Sequence, residues 1–107
     1  MMIENLLTVG LFDKNTEKQE IDTDAAKNII SNILINDFDI FAFTMMDCIG
    51  VYKMTSTNNI IREPSIRIEI ATNDELTEID LIIEAIKKAL NQESIMHKRQ
   101  ASEIYFK

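Results

Sequence analysis

The stretch GVYKMTSTNNIIREPSIRIEI, residues 50–70, decides how this chain folds. Its right half alternates Ile66, Ile68 and Ile70 with Arg67 and Glu69, the period-two pattern of a half-buried strand. Its centre, TSTNN at 55–59, is turn chemistry. The aromatic and β-branched run IFAFTMMDCIGVYKM at 40–54 leads into that turn as a long strand. Two strands joined by a short polar turn make an antiparallel hairpin. Gly50 is expected to mark a bulge or bend in the first strand. Pro64 is expected at the start of the second, where its missing N–H costs no ladder bond.

Outward from the hairpin, NLLTVGLFD at 5–13 is apolar on both parities, which predicts a central strand covered on each face. A polar loop, KNTEKQE at 14–20, follows it. Asp22 or Thr23 can then cap a helix whose apolar residues Ala26, Ile29, Ile30, Ile33 and Leu34 recur at helical spacing. After the hairpin, Thr72 and Glu75 have the spacing of a capping box. The stripe Leu76, Ile79, Ile83, Ile86 and Leu90 predicts a second helix, with Lys87 and Lys88 at its electronegative end. From Ile95 onward, IMHKRQASEIYF reads as a last strand.

The order β-α-β-β-α-β predicts an α+β fold, a ferredoxin-like sandwich filling one domain over residues 1–107. Its four-stranded antiparallel sheet has spatial order 4-1-3-2 and carries two helices on one face. The other face holds too many apolar residues to be simply wet, with Phe41 and Phe43 counted among them, and this predicts a homodimer through the sheet.

Composition narrows the function. A chain of 107 residues with 46% hydrophobic and 27% charged residues is of globular type, and no apolar run is long enough to span a membrane. No secretory leader opens it, and the single cysteine, Cys48, rules out an internal disulfide; the expected compartment is cytoplasmic. The net charge is −7 and sits mainly in residues 1–47, where nine acids face three lysines. Such a surface repels nucleic acid and attracts a basic protein. Glu17, Glu20, Asp22 and Asp24 are the acidic run a basic host partner would meet.

Chemistry-bearing residues are few. The fold places Asp13, Lys14, Lys53, Arg62, Glu63, Gln92, Glu93 and Ser94 at one end of the sheet. Arg62, Glu63, Gln92, Glu93 and Ser94 are the candidate ligand-binding set, with a clasp between two loops as the competing role for Arg62 and Glu63. No catalytic set can be drawn, and with one histidine, His97, and one cysteine no metal site or cofactor is expected. His97 reads as a surface or interface residue, Cys48 as an unreactive thiol, and the DTD run at 22–24 as a helix cap.

The motifs LLTVGL, GVYKMTSTNNIIREPSIRIEI and NQESIM resemble the small bacterial family called domain of unknown function 3574. The resemblance lies in a glycine-containing first strand, an R-E-P approach to strand 3 and a Q-E-S segment before strand 4. It implies no activity, because that family has none assigned, but it groups Arg62, Glu63, Gln92, Glu93 and Ser94. The richness in Ile, Asn and Lys is that of a low-GC bacterium or its phages and plasmids. The function expected is a small acidic accessory protein of a mobile element, acting by protein–protein interaction. Two alternatives stay open: an inhibitor of a host nucleic-acid defence complex, and a small-ligand-binding protein or enzyme using the polar cluster.

Overall fold

Side chains on a strand alternate faces, so a strand with one apolar parity must have that row covered. Leu7 and Val9, with Leu11 just beyond, form such a row, and so do Ile66, Ile68 and Ile70. In a computed structural model, which describes residues 2–72 and 78–107, these rows lie side by side under two helices. The elements are β1 (Met2–Gly10), α1 (Thr23–Asn32), β2 (Thr44–Lys53), β3 (Ile60–Thr72), α2 (Ile79–Ala89) and β4 (Met96–Ser102). The sheet order is β2-β3-β1-β4 with every pair antiparallel, which is the ferredoxin-like arrangement expected.

Helix α1 begins where Asp22, in extended conformation, accepts the Ala25 N–H at 2.8 Å, and its backbone runs on through a π-helical turn at Ile33–Asp37. Ala26, Ile30, Ile33 and Leu34 face the sheet. Lys27 reaches down to Asp47 at 2.7 Å and ties α1 to β2. Helix α2 buries Ile79, Ile82, Ile86 and Leu90 in the same core, whereas Ile83, expected in the stripe, is only half-buried. Thr72 is the last residue of β3, and Glu78 stands at the cap of α2 without a side-chain bond. Glu75 and Leu76 lie outside the described residues.

Three expectations need correction. Strand β2 starts at Thr44, not at residue 40, because the π-helical turn carries helical backbone to Asp37 and residues 38–43 cross from helix layer to sheet. Phe41 and Phe43 therefore precede the strand: Phe41 is exposed, and Phe43 packs against the core edge. There is no bulge at Gly50, since pairing runs unbroken from Thr44↔Glu69 to Lys53↔Ile60. Pro64 is internal to β3 rather than its first residue. Its carbonyl accepts the Leu11 N–H at 2.9 Å, and the N–H it lacks would point to that same side. The ladder to β2 loses nothing there.

The β2–β3 hairpin outruns the rest of the sheet. The last β1 pair is Gly10↔Ser65, yet Ile49–Lys53 continue to pair with residues 60–64 as a two-stranded ribbon. Ile49, Val51 and Ile60 are exposed on its helix side. Among the described residues no helix is long and apolar enough to cross a membrane.

Candidate functional site

The site grows out of the place where β1 and β3 separate. After Leu11 N–H meets Pro64 O, the next β1-side donor, Phe12 N–H, has no strand carbonyl opposite it. A half-buried amide still needs an acceptor, and the Glu63 side chain supplies one: Phe12 N–H donates to Glu63 Oε2 over 2.8 Å. The carboxyl group lies against Gly10, where an added Cβ would collide with it. Glycine is required there by this close approach.

Two buried polar side chains brace the arrangement. Ser65 Oγ donates to Glu63 O at 3.0 Å, and Gln92 Nε2 donates to Phe12 O at 2.8 Å and Leu90 O at 3.3 Å. Gln92 is held by the end of α2, where Asn91 takes a left-handed φ of 49° and Gln92 N–H closes onto Lys87 O at 2.9 Å. Asn91 also donates through Nδ2 to Asp13 Oδ2 at 2.9 Å. That bond, with the Asn15 and Thr16 N–H groups, holds the Asp13 carboxyl below the usual aspartate range.

Around this frame lies a cleft of about 580 Å³ on the sheet face opposite the helices. Thr8, Gly10, Gly50, Ser65 and Glu63 form its floor. Its walls include Phe12, Asp13, Lys14 and Glu17 on one side, Tyr52, Met54 and Ile61 on another, and Gln92, Glu93, Ser94 and Met96 on the third. The size falls in the range of small-molecule sites, about 300–1,000 Å³. Among the described residues four carboxylates line it against one lysine, so its field favours a cation. Partial burial, then the negative charges of Glu63 and Glu17, push the Tyr52 phenol up from its ordinary value and keep it a hydrogen-bond donor.

Of the sequence candidates, Glu63, Gln92, Glu93 and Ser94 come together in this cleft. Arg62 does not. It faces the helix side beside Val51, exposed, because consecutive strand residues point to opposite faces. Lys53 lies on that side as well. The acidic run is dispersed: Glu17 joins the cleft, Asp22 is occupied as a cap, Asp24 is exposed at 3.8 Å from Lys27, and Glu20 borders a smaller hollow. His97 is half-buried, with Nε2 2.9 Å from Asn5 Oδ1. Among the described residues no group of three or more His, Cys, Asp and Glu side chains is placed to hold a metal ion. Gly10, Phe12, Tyr52 and Ser65 were not singled out from sequence; hairpin register is the signal that puts Tyr52 on the face of Glu63.

Fold and cleft together define a ferredoxin-like α+β protein with a cleft of small-molecule size at the end of its open sheet face. Solved structures share the fold. A phage SAM lyase in complex with S-methyl-5'-thioadenosine matches with a TM-score of 0.67 and 18% identity, over 92% of this chain and 80% of that one. A phage SAM lyase in its apo state matches with a TM-score of 0.57 and 24% identity, over 92% and 78%. The GlnK–ATP complex of B. subtilis matches with a TM-score of 0.57 and 12% identity, over 92% and 81%. No family model and no curated protein matches the chain.

Proposed function

We propose that this chain is a small phage-type enzyme that binds S-adenosylmethionine in the Glu63 cleft and cleaves it to S-methyl-5'-thioadenosine. The observation that carries this reading is a carboxylate-lined cleft of ligand size, with the Glu63 carboxyl pinned between Gly10 and Phe12 N–H. The proposed substrate carries a sulfonium and an ammonium, and the cleft has the complementary sign. The likeness to a phage SAM lyase over 92% of the chain supports the choice of substrate.

The reaction balances without a co-reactant. The bond from sulfur to the amino-acid arm breaks, and both electrons leave with sulfur as a neutral thioether. The arm's own carboxylate oxygen closes on the carbon left behind. Because the sulfonium charge vanishes as this bond breaks, a carboxylate set against sulfur would favour the ground state over the transition state. Glu63 is better used on the ammonium, whose charge persists, where it fixes the arm for closure. The neutral Tyr52 phenol can donate to an oxygen of the same arm.

The test is to incubate the protein with S-adenosylmethionine and follow products by chromatography. Equimolar loss of substrate and gain of S-methyl-5'-thioadenosine is expected. No turnover, together with no calorimetric binding of the nucleoside, sinks the reading.

Self-association through the open face is proposed alongside. Tyr52, Met46 and Met96 are exposed on that face, an apolar surface that a second copy could cover. Light scattering should report an oligomer that Met46→Glu dissociates; a monomeric wild type rules the packing out.

A further inference from the structure

The described chain buries three polar side chains, Asn5, Ser65 and Gln92, and two of them bond the main chain at the two residues that place one carboxylate, Glu63 and Phe12. Ser65 holds the Glu63 main chain directly. Gln92 never touches Glu63. It grips the carbonyl of Phe12, the residue whose N–H holds the Glu63 carboxyl, and so fixes that residue on both sides. We infer that Gln92 is a positioning residue, which sets the Glu63 carboxylate through the Phe12 backbone and couples the end of α2 to the cleft.

The physical case is one of satisfiability. Phe12 follows the last β1–β3 backbone bond, where a strand end is free to fray. Beside the Glu63 bond, the isolated bridge of Phe12 to Gln19 opposes that freedom at the exposed loop, and Asn91 ties Asp13 and Lys14 just beyond. Among the described residues the Gln92 amide alone grips Phe12 itself from the buried side. Gln92 is only 7% exposed, its Nε2 donates to both Phe12 O and Leu90 O, and its own N–H is held by Lys87 O, so the side-chain nitrogen and the main chain are both restrained. A donor so restrained transmits the position of α2 to Phe12, whereas an exposed side chain would not. The inference rests on the reading of Glu63 as the group that holds the substrate arm.

The experiment uses Gln92→Met, which keeps the volume and removes the donor, in wild-type and Glu63→Gln backgrounds. In the wild-type background kcat/KM for S-adenosylmethionine should fall about tenfold, the size of one lost hydrogen bond. Binding of S-methyl-5'-thioadenosine, which lacks the arm, should stay unchanged. In the Glu63→Gln background the same substitution should have little further effect, because both act on one contact. Equal losses in both backgrounds would mean a structural role and overturn the inference. A second readout does not need turnover: hydrogen exchange at the Phe12 amide should accelerate in Gln92→Met while the Ile68 amide keeps its protection. If wild type neither cleaves nor binds its ligands, the lyase reading falls alone, and Phe12 exchange still decides the bracing. Unchanged Phe12 exchange overturns it.

Discussion

Glu63→Gln is expected to lower kcat/KM for S-adenosylmethionine by about a hundredfold, the scale on which a reacting arm loses its orientation. Binding of S-methyl-5'-thioadenosine should be unaffected. The substitution is close to isosteric, and the amide oxygen can still accept Phe12 N–H, so the cleft should keep its shape. What disappears is the negative charge that the ammonium of the proposed substrate would face. The charge-assisted part of the Phe12 bond goes with it, and about 1 kcal/mol of stability is the corresponding cost. Steady-state release of the nucleoside, calorimetric titration and a thermal melt separate the three effects. Wild-type turnover in this variant would remove Glu63 from the mechanism; loss of nucleoside binding would mean that the cleft itself had collapsed.

A second large effect should come from a residue with no functional group. Gly10→Ala puts a Cβ where the Glu63 carboxyl lies, and the flexible end of the glutamate is what must give way. Stability should change little. Replacing a strand glycine reduces the freedom of the unfolded chain by about 0.5–1 kcal/mol, which offsets the lost Phe12–Glu63 bond of about the same size. Turnover should nevertheless fall about a hundredfold, because the carboxylate is displaced. A melt beside a kinetic assay checks the pairing. A variant that folds and turns over like wild type would show that the carboxylate position is immaterial.

Periodicity made most of the fold legible. Ile66, Ile68 and Ile70 alternate so cleanly that β3 could hardly be anything else, and the element order then fixed which loops share an end of the sheet. The end of β2 nearest α1 was harder, because Ile40 to Phe43 are apolar residues that suit either a strand or a half-buried crossing. The site was legible only as a neighbourhood. Arg62 and Glu63 are adjacent in sequence and on opposite faces in the sheet, and only the pairing partner tells which face is the open one. Centring a ladder on TSTNN would pair Gly50 with Pro64. The observed loop also takes in Met54, whose N–H donates to Asn59 O at 2.9 Å, with Asn58 at a φ of 60°. Gly50 meets Glu63 instead. A shift of one residue changes every cross-strand neighbour, and local composition does not fix it. Gly10 and Phe12 were invisible for another reason: they contribute backbone space and a backbone N–H, which leave no signature in side-chain chemistry.

The ribbon formed by Ile49–Lys53 and residues 60–64 gives the cleft an unequal pair of walls. One wall is anchored by β1 and α2. The other, with Tyr52 and Met54, stands on two strands that have no third strand beside them. Such ribbons twist strongly and have little stability of their own. On the proposed reading, Tyr52 would meet the ligand from a surface that must first be stilled, and the entropy lost in stilling it would be subtracted from the binding free energy. On that reading, affinity should therefore respond to substitution of Ile49, Val51 and Ile60, exposed on the far side of the ribbon and away from the ligand.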